Sequence, residues 1–315
     1  MFNLLLNENM KIYRRTRTWM IIVGLVLTVI GFLIAQQYSV KPFQTANADW
    51  KVNMQKQVQN DQQLLANMDR GADWKAHVTS RILVNQYHID HNIPPTEDTL
   101  WGNILQAADL MVVVTVLTVI ISGESVAGEY TDGTIKLLLI RPVSRTKILF
   151  SKYIASIMFS VLLFSVLFVS AFIVSGVIHG FHDLGVSYVF ASNDGIVHET
   201  NIVQHAISTY LYQAVQMVMV VTLSFMISVL SRSSAFAIAL SIGTMFAGTS
   251  IVGFLSQFQW AKFYLFENTD LTQFLTGSPN IPGMTMLFSI TMIAVYFILF
   301  HVLAWAVFKK RDITA

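Results

Sequence analysis

Residues 154–178 read Ile154-Ala-Ser-Ile-Met-Phe-Ser-Val-Leu-Leu-Phe-Ser-Val-Leu-Phe-Val-Ser-Ala-Phe-Ile-Val-Ser-Gly-Val-Ile178, without one charged side chain. A helix rises 1.5 Å per residue, so about 20 such residues cross the roughly 30 Å hydrocarbon core of a bilayer. Uncharged stretches of the same order recur at Trp19 to Ala35, Ala206 to Leu230, Ala235 to Leu255 and Met284 to Phe308. A sixth, Asn103 to Ser122, is less clean because it contains Asp109. The whole chain is 54% hydrophobic and 12% charged, about half the charged share of a soluble domain, which agrees with a lipid environment.

The placement of Lys and Arg supplies the topology. Lys11, Arg14, Arg15 and Arg17 precede the first stretch and put the N-terminus on the cytoplasmic side. Lys136, Arg141, Arg145, Lys147 and Lys152 mark the connection after the sixth-ranked stretch as cytoplasmic, whereas His179 to His205 contains neither Lys nor Arg. Arg232 marks an inner turn, Lys262 is the lone cation of the next outer connection, and Lys309, Lys310 and Arg311 hold the C-terminus inside. The expectation is an all-α integral membrane domain over 1–315, multi-pass in a bacterial plasma membrane, with six transmembrane helices and both termini cytoplasmic. No cleavage site follows the first stretch, which is read as a retained helix.

Residues 36–106 then form an external insertion. Trp50, Met54, Val58, Leu65 and Met68 have helical spacing, Gly71 interrupts it, and Trp74, Val78 and Ile82 begin a second helix before Pro94-Pro95. A small helical hairpin is expected there. The segment 123–152 mixes Glu124, Glu129 and Tyr130 with apolar and basic residues: Gly133 suits a helix end, Thr134 to Ile140 a short helix across the membrane face, and Ser144 an N-cap. On residues alone it serves either as a positive-inside anchor or as a docking element.

Several chemistries are excluded or weakened. The chain has no cysteine, and its modest net charge of +2 gives no sign of nucleic-acid binding. A P-loop requires Gly-x-x-x-x-Gly-Lys followed by Ser or Thr, but Gly123 and Gly128 are followed by Glu129 and Tyr130. No nucleophile elbow or His-Glu-x-x-His motif occurs, so no catalytic residue is assigned. The pairs His179/His182 and His88/His91 offer only two ligands each, and no metal site is expected.

The run Gly128-Glu-Tyr-Thr-Asp-Gly-Thr134, followed by a Leu-rich stretch and Arg141-Pro-Val-Ser-Arg145, resembles the permease subunits of the ABC-2 superfamily. Residues 1–18, with Asn7-Glu8 and Arg14-Arg15-Thr16-Arg17-Thr18, are similar to that family's interfacial amphipathic helix. The resemblance implies a permease coupled to a separate ABC ATPase subunit that binds ATP and Mg, with a second permease chain completing a homodimer or heterodimer. It further implies that Glu124, Glu129, Tyr130, Gly133, Thr134, Arg141, Pro142, Ser144 and Arg145 form or shape the ATPase contact. Gln213, Gln216, Asp109 and His301 are candidates for a translocation path, with helix packing or an interfacial position as the plainer alternatives. The mostly apolar and Ser/Thr character of the spans favours an amphiphilic drug or peptide as substrate, and the resemblance implies that an antibiotic, peptide or other amphiphile is exported. Two other classes remain: a scaffold or sensor reading a ligand through the insertion, and an ion-coupled carrier using Asp109 or His301.

Overall fold

A computed structural model describes residues 1–40, 50–67, 71–135, 143–181, 185–192, 195–277 and 279–310. Within lipid every backbone polar group must be satisfied inside the chain, and the apolar runs accordingly form helices. Six helical spans are long and apolar enough to cross a membrane, which gives the chain its membrane-protein character. A short helix α1 (Phe2–Tyr13) leads into α2 (Thr16–Val40). After the insertion, α5 (Leu100–Ala107) continues through a 3-10 turn, Ala108–Leu110, into α6 (Met111–Thr131). The remaining spans are α7 (Arg145–His179), α8 (Ile202–Leu230), α9 (Ser234–Leu255) and α11 (Met286–Lys310). Successive spans alternate in direction, so one end of the bundle gathers the basic connections and the other carries the insertion.

The second and fourth spans form the centre: 56% and 61% of their most apolar windows are buried, against 11% for α11. Hydroxyl groups join them. Ser122 Oγ donates to the Val221 carbonyl at 2.9 Å and Ser224 Oγ to that of Val119 at 3.3 Å, while Ser228 Oγ accepts from the amides of Val126 and Ala127. Other hydroxyls bond back to their own helix, as Ser156 does to the Lys152 carbonyl at 3.1 Å and Ser160 to that of Ser156 at 2.9 Å. Ser156 and Ser160 therefore sit in an apolar span with their hydroxyls satisfied, whereas the buried Ser175 Oγ has no partner among the described residues.

The insertion contains the expected hairpin of helices, α3 (Trp50–Asn67) and α4 (Ala72–His91), with Val58 and Val78 buried between them. Arg81 donates bidentately to the buried Asp61, Nε to Oδ2 at 2.7 Å and Nη2 to Oδ1 at 2.5 Å, and fixes their register. The second span begins at Leu100, so the insertion ends before residue 106. Apolar content alone hides that start, because Asn103 is polar yet buried and its Nδ2 lies 2.6 Å from His179 Nε2. Thr99 caps this helix through Gly102 N at 3.1 Å. Gly102 is required there, since a side-chain carbon would fall onto the Thr96 carbonyl.

Two features depart from the expected layout at the insertion end. A β-hairpin, β1 (Ser187–Ala191) with β2 (Val197–Asn201), pairs Val189 with Glu199 and packs on α4. The chain is otherwise helical, consistent with an all-α membrane protein, and this two-stranded hairpin is an addition to that layout. The connection after α9 folds back on the spans as 3-10 turns around α10 (Leu265–Thr269), every residue of which is buried. Phe266 occupies the space that Gly248 of α9 leaves open, and Gln273 Nε2 donates to the carbonyls of Glu267 at 3.0 Å and Asp270 at 2.7 Å.

Replacing Gly102 by Ala should cost about 1–3 kcal/mol, the usual penalty for overpacking a tight site. Thermal unfolding of the purified protein in detergent checks this, and an unchanged melting temperature would remove the close approach at Thr96 from the account.

Candidate functional site

At the basic end, α1 lies against α7. The corner into α2 is fixed by Thr18 Oγ1 donating to the Ile12 carbonyl at 2.5 Å and Trp19 Nε1 to that of Tyr13 at 3.0 Å. This turn carries Glu8, Lys11, Arg15 and Arg17 to the last turns of α6 and the start of α7. Lys152, whose side chain is 3% exposed, donates to Glu8 Oε2 at 2.9 Å and Glu129 Oε1 at 2.8 Å. Lys11 adds 2.8 Å to Glu129 Oε1 and 3.3 Å to Glu8 Oε1, and Thr134 Oγ1 donates to the other Glu129 oxygen. Beside them, Glu124 accepts from Arg17 Nη1 at 2.8 Å and pairs with Arg15 at 3.1 Å.

These groups surround a cavity of about 340 Å3 whose lining balances Glu8, Glu124, Glu129 and Asp132 against Lys11, Arg15, Arg17 and Lys152. Charges so matched and so closely bonded leave little field for a charged ligand. The cluster acts instead as a joint that ties α1 to the ends of two spans.

The expected docking residues divide accordingly. Glu124, Glu129 and Thr134 are held in the joint, and Tyr130 packs half-buried on the cluster that contains Ile135 and Tyr153. Gly133 has φ +69° and turns the chain at the end of α6. Ser144 occupies the N-cap position of α7 but its hydroxyl makes no capping bond, and Arg145 Nη1 donates to the Lys309 carbonyl at 3.1 Å. Arg141, Pro142 and most of the expected short helix lie outside the described residues. Asp132, Gly133, Ser144 and Lys147 are exposed on this face. Glu8 and Lys152, counted in the sequence only for resemblance and for topology, prove central; an ionisable residue adjoining an uncharged run was the available signal.

At the insertion end, two adjoining cavities share Asp109 and Gln213. The larger, about 560 Å3, lies beneath the β-hairpin and the segment around α10. The smaller, about 210 Å3, adds Gln216 and runs between α6, α8 and α9. Three of the four candidate path residues are thereby brought together on one route. His301 is not among them: its Nδ1 meets the Phe297 carbonyl at 2.9 Å, and its ring stands edge-on to Tyr153 at 4.5 Å. Sequence reading missed Tyr188, His205 and Gln273, which also line the larger cavity.

The histidine pairs are engaged locally. His88 Nδ1 bonds the Ile93 carbonyl at 2.9 Å and His91 Nδ1 that of Tyr87 at 3.1 Å, both at the end of α4. His182 lies outside the described residues, and no group of three or more candidate metal ligands forms among those described.

A family model described as "Protein of unknown function (DUF2705)" matches residues 62–314. The chain belongs to that family. It is 39% identical over 317 residues to "Uncharacterized protein YhcI" of Bacillus subtilis (strain 168), with 99% of each chain covered. It is 31% identical over 221 residues to "Uncharacterized membrane protein YdbK" of the same organism, covering 69% of this chain and 85% of that one. The family match begins inside α3 and so leaves out Glu8 and Lys11, whereas the YhcI match extends over nearly the whole chain.

Removing one member of a buried ion pair strands the other, at a typical cost of 3–5 kcal/mol. Glu129→Gln should therefore lower stability by about that amount, and adding Lys152→Met should restore part of it; a double-mutant cycle in detergent tests the coupling. Burial pushes the Lys11 ammonium down, but its bond to Glu129 and the charges of Glu8 and Glu129 outweigh that and raise it above the ordinary 10.5. A raised lysine stabilises fully below its unfolded value and loses that contribution as pH climbs through the folded one. Protease access to α1 should thus be flat at neutral pH and increase only above about pH 10.5, the ordinary lysine value.

Proposed function

We propose that the chain is the membrane-spanning permease subunit of an ABC-2 type exporter, driven by a separate ATPase that binds ATP and Mg. In this reading the basic end faces the cytoplasm, as the positive-inside rule requires, and the insertion faces outward. A second permease, the same chain or a related one, completes the translocation unit.

The joint around Lys152 is the observation that carries the proposal. It binds the segment bearing the Gly128 to Arg145 motif to α1, to the end of α6 and to the start of α7. A force applied to that segment by an ATPase reaches three elements through short charge-assisted bonds rather than through a slack loop. The opposite end holds the polar cavities to which such a movement would have to lead.

The alternative, a scaffold that binds a ligand through its insertion, is favoured by the folded head of α3, α4 and the β-hairpin. Co-purification separates the two. An ATPase should remain bound to the chain extracted from native membranes and hydrolyse ATP in the eluate. Lys147→Glu, at an exposed position beside the docking segment, should reduce its retention at least tenfold, about 1.4 kcal/mol, while the melting temperature stays constant. A chain recovered without an ATPase, under conditions that preserve other complexes, would favour the scaffold.

A further inference from the structure

The larger cavity at the insertion end has a one-sided chemistry. Its lining includes the carboxylates of Glu97, Asp109 and Asp270 and neither Lys nor Arg. Gln106 Oε1 and Gln213 Oε1, both from lining residues, are buried acceptors with no hydrogen-bond partner among the described residues. His205 lines the same wall and is 9% exposed, and neither of its ring nitrogens has a hydrogen-bond partner among the described residues. Its ring is fixed from behind by stacking on Tyr188 at 4.3 Å and Phe190 at 5.9 Å.

Carboxylates and amide oxygens repel anions and accept hydrogen bonds, so a ligand that fits this lining brings N–H donors and positive charge. A metal ion fits poorly, since no three candidate ligands converge among the described residues. Aromatic walls favour a flat or apolar body and attract a cation at the ring face. The volume of about 560 Å3 suits a drug-sized molecule or a few peptide residues, not a polymer chain or a folded domain.

We infer that this cavity binds a cationic amphiphile, an ammonium, amidinium or guanidinium group on an aromatic or apolar body. Asp109 holds the charge, His205 offers an unpartnered ring nitrogen to an N–H group, and Tyr188 packs the body. Only the statement that this ligand is exported cargo rests on the permease reading; the binding site stands independently of it.

Pentamidine, an aromatic bis-amidine, is a suitable probe, with its bis-carboxamide as a neutral partner of nearly the same shape. The full chain in nanodiscs of zwitterionic lipid should bind pentamidine saturably in isothermal titration and the bis-carboxamide at least tenfold more weakly. Asp109→Asn, at an exposed carboxylate, should weaken pentamidine binding about threefold or more while the melting temperature stays constant. Equal binding of the two probes, or pentamidine affinity indifferent to Asp109→Asn, would overturn the inference while leaving ATPase retention as a separate test of the permease. Discrimination between the probes without any retained ATPase would support the site and remove the permease reading.

Discussion

Lys152 places an ammonium group where it is almost wholly removed from water, at the edge of the longest apolar span. An unpaired charge in such a place costs several kcal/mol, so the sequence is committed to supplying its partners. Those partners come from different elements. Glu8 belongs to α1 and Glu129 to α6, and satisfying the lysine therefore fixes the angle of the N-terminal helix and the register of two spans together. Lys11 shares both carboxylates, and Thr134 is drawn in through the remaining Glu129 oxygen. Much of the architecture of the basic end follows from neutralising one side chain.

The two ends of the bundle solve the problem of buried polarity in opposite ways. At the basic end the acids and bases around the cavity are equal in number, and Glu8, Glu124 and Glu129 are ion-paired with Lys11, Arg15, Arg17 and Lys152. At the insertion end Glu97, Asp109 and Asp270 line the cavity with neither Lys nor Arg, and Gln106 Oε1 and Gln213 Oε1 have no hydrogen-bond partner among the described residues. An unmatched buried acceptor costs about 1–3 kcal/mol unless water or a ligand supplies the donor. Such an acceptor beside a roomy, partly aromatic cavity leaves a place for a donor to enter, whereas the charges of the ionic joint are paired within the chain.

The spans were legible because twenty uncharged residues have few options in lipid, and the helical insertion because Val58 and Val78 fall on a helical period. Asp109 and Gln213 were legible as polar exceptions within apolar runs. Other features were hidden by the same logic. The second span was read from Asn103 but starts earlier, at Leu100, and Asn103 lies within it with its amide buried against His179. The β-hairpin left a signal, Tyr188-Val-Phe190 and Val197 to Thr200 around Asn193-Asp-Gly195, but topology reading took the stretch only as a connection lacking Lys and Arg. Convergence of Tyr188, His205 and Gln273 on one cavity depends on how three separate connections fold back over the spans, and no local pattern specifies that.

The second span is the element that touches both ends. Its last turns hold Glu124 and Glu129 in the joint, and its 3-10 turn presents Asp109 to both cavities. Along its length it is bonded to the fourth span through Ser122, Ser224 and Ser228, and the fourth span carries Gln213 and Gln216 on the other side of the same route. A displacement imposed at the joint has two outcomes. If the serine bonds hold, the two spans move as a unit and the cavity walls keep their spacing, so any opening must occur against α9, which closes the smaller cavity. If they slip, Asp109 and Gln213 separate directly. Four bonds through three serines in a low-dielectric core resist slippage more than the van der Waals contact of Met245, Phe246 and Thr249 resists parting, while Ser234 N, donating to Thr131 Oγ1 at 3.1 Å, pins α9 at the basic end. In a permease built on this bundle, the moving boundary is therefore the one between the central pair and α9.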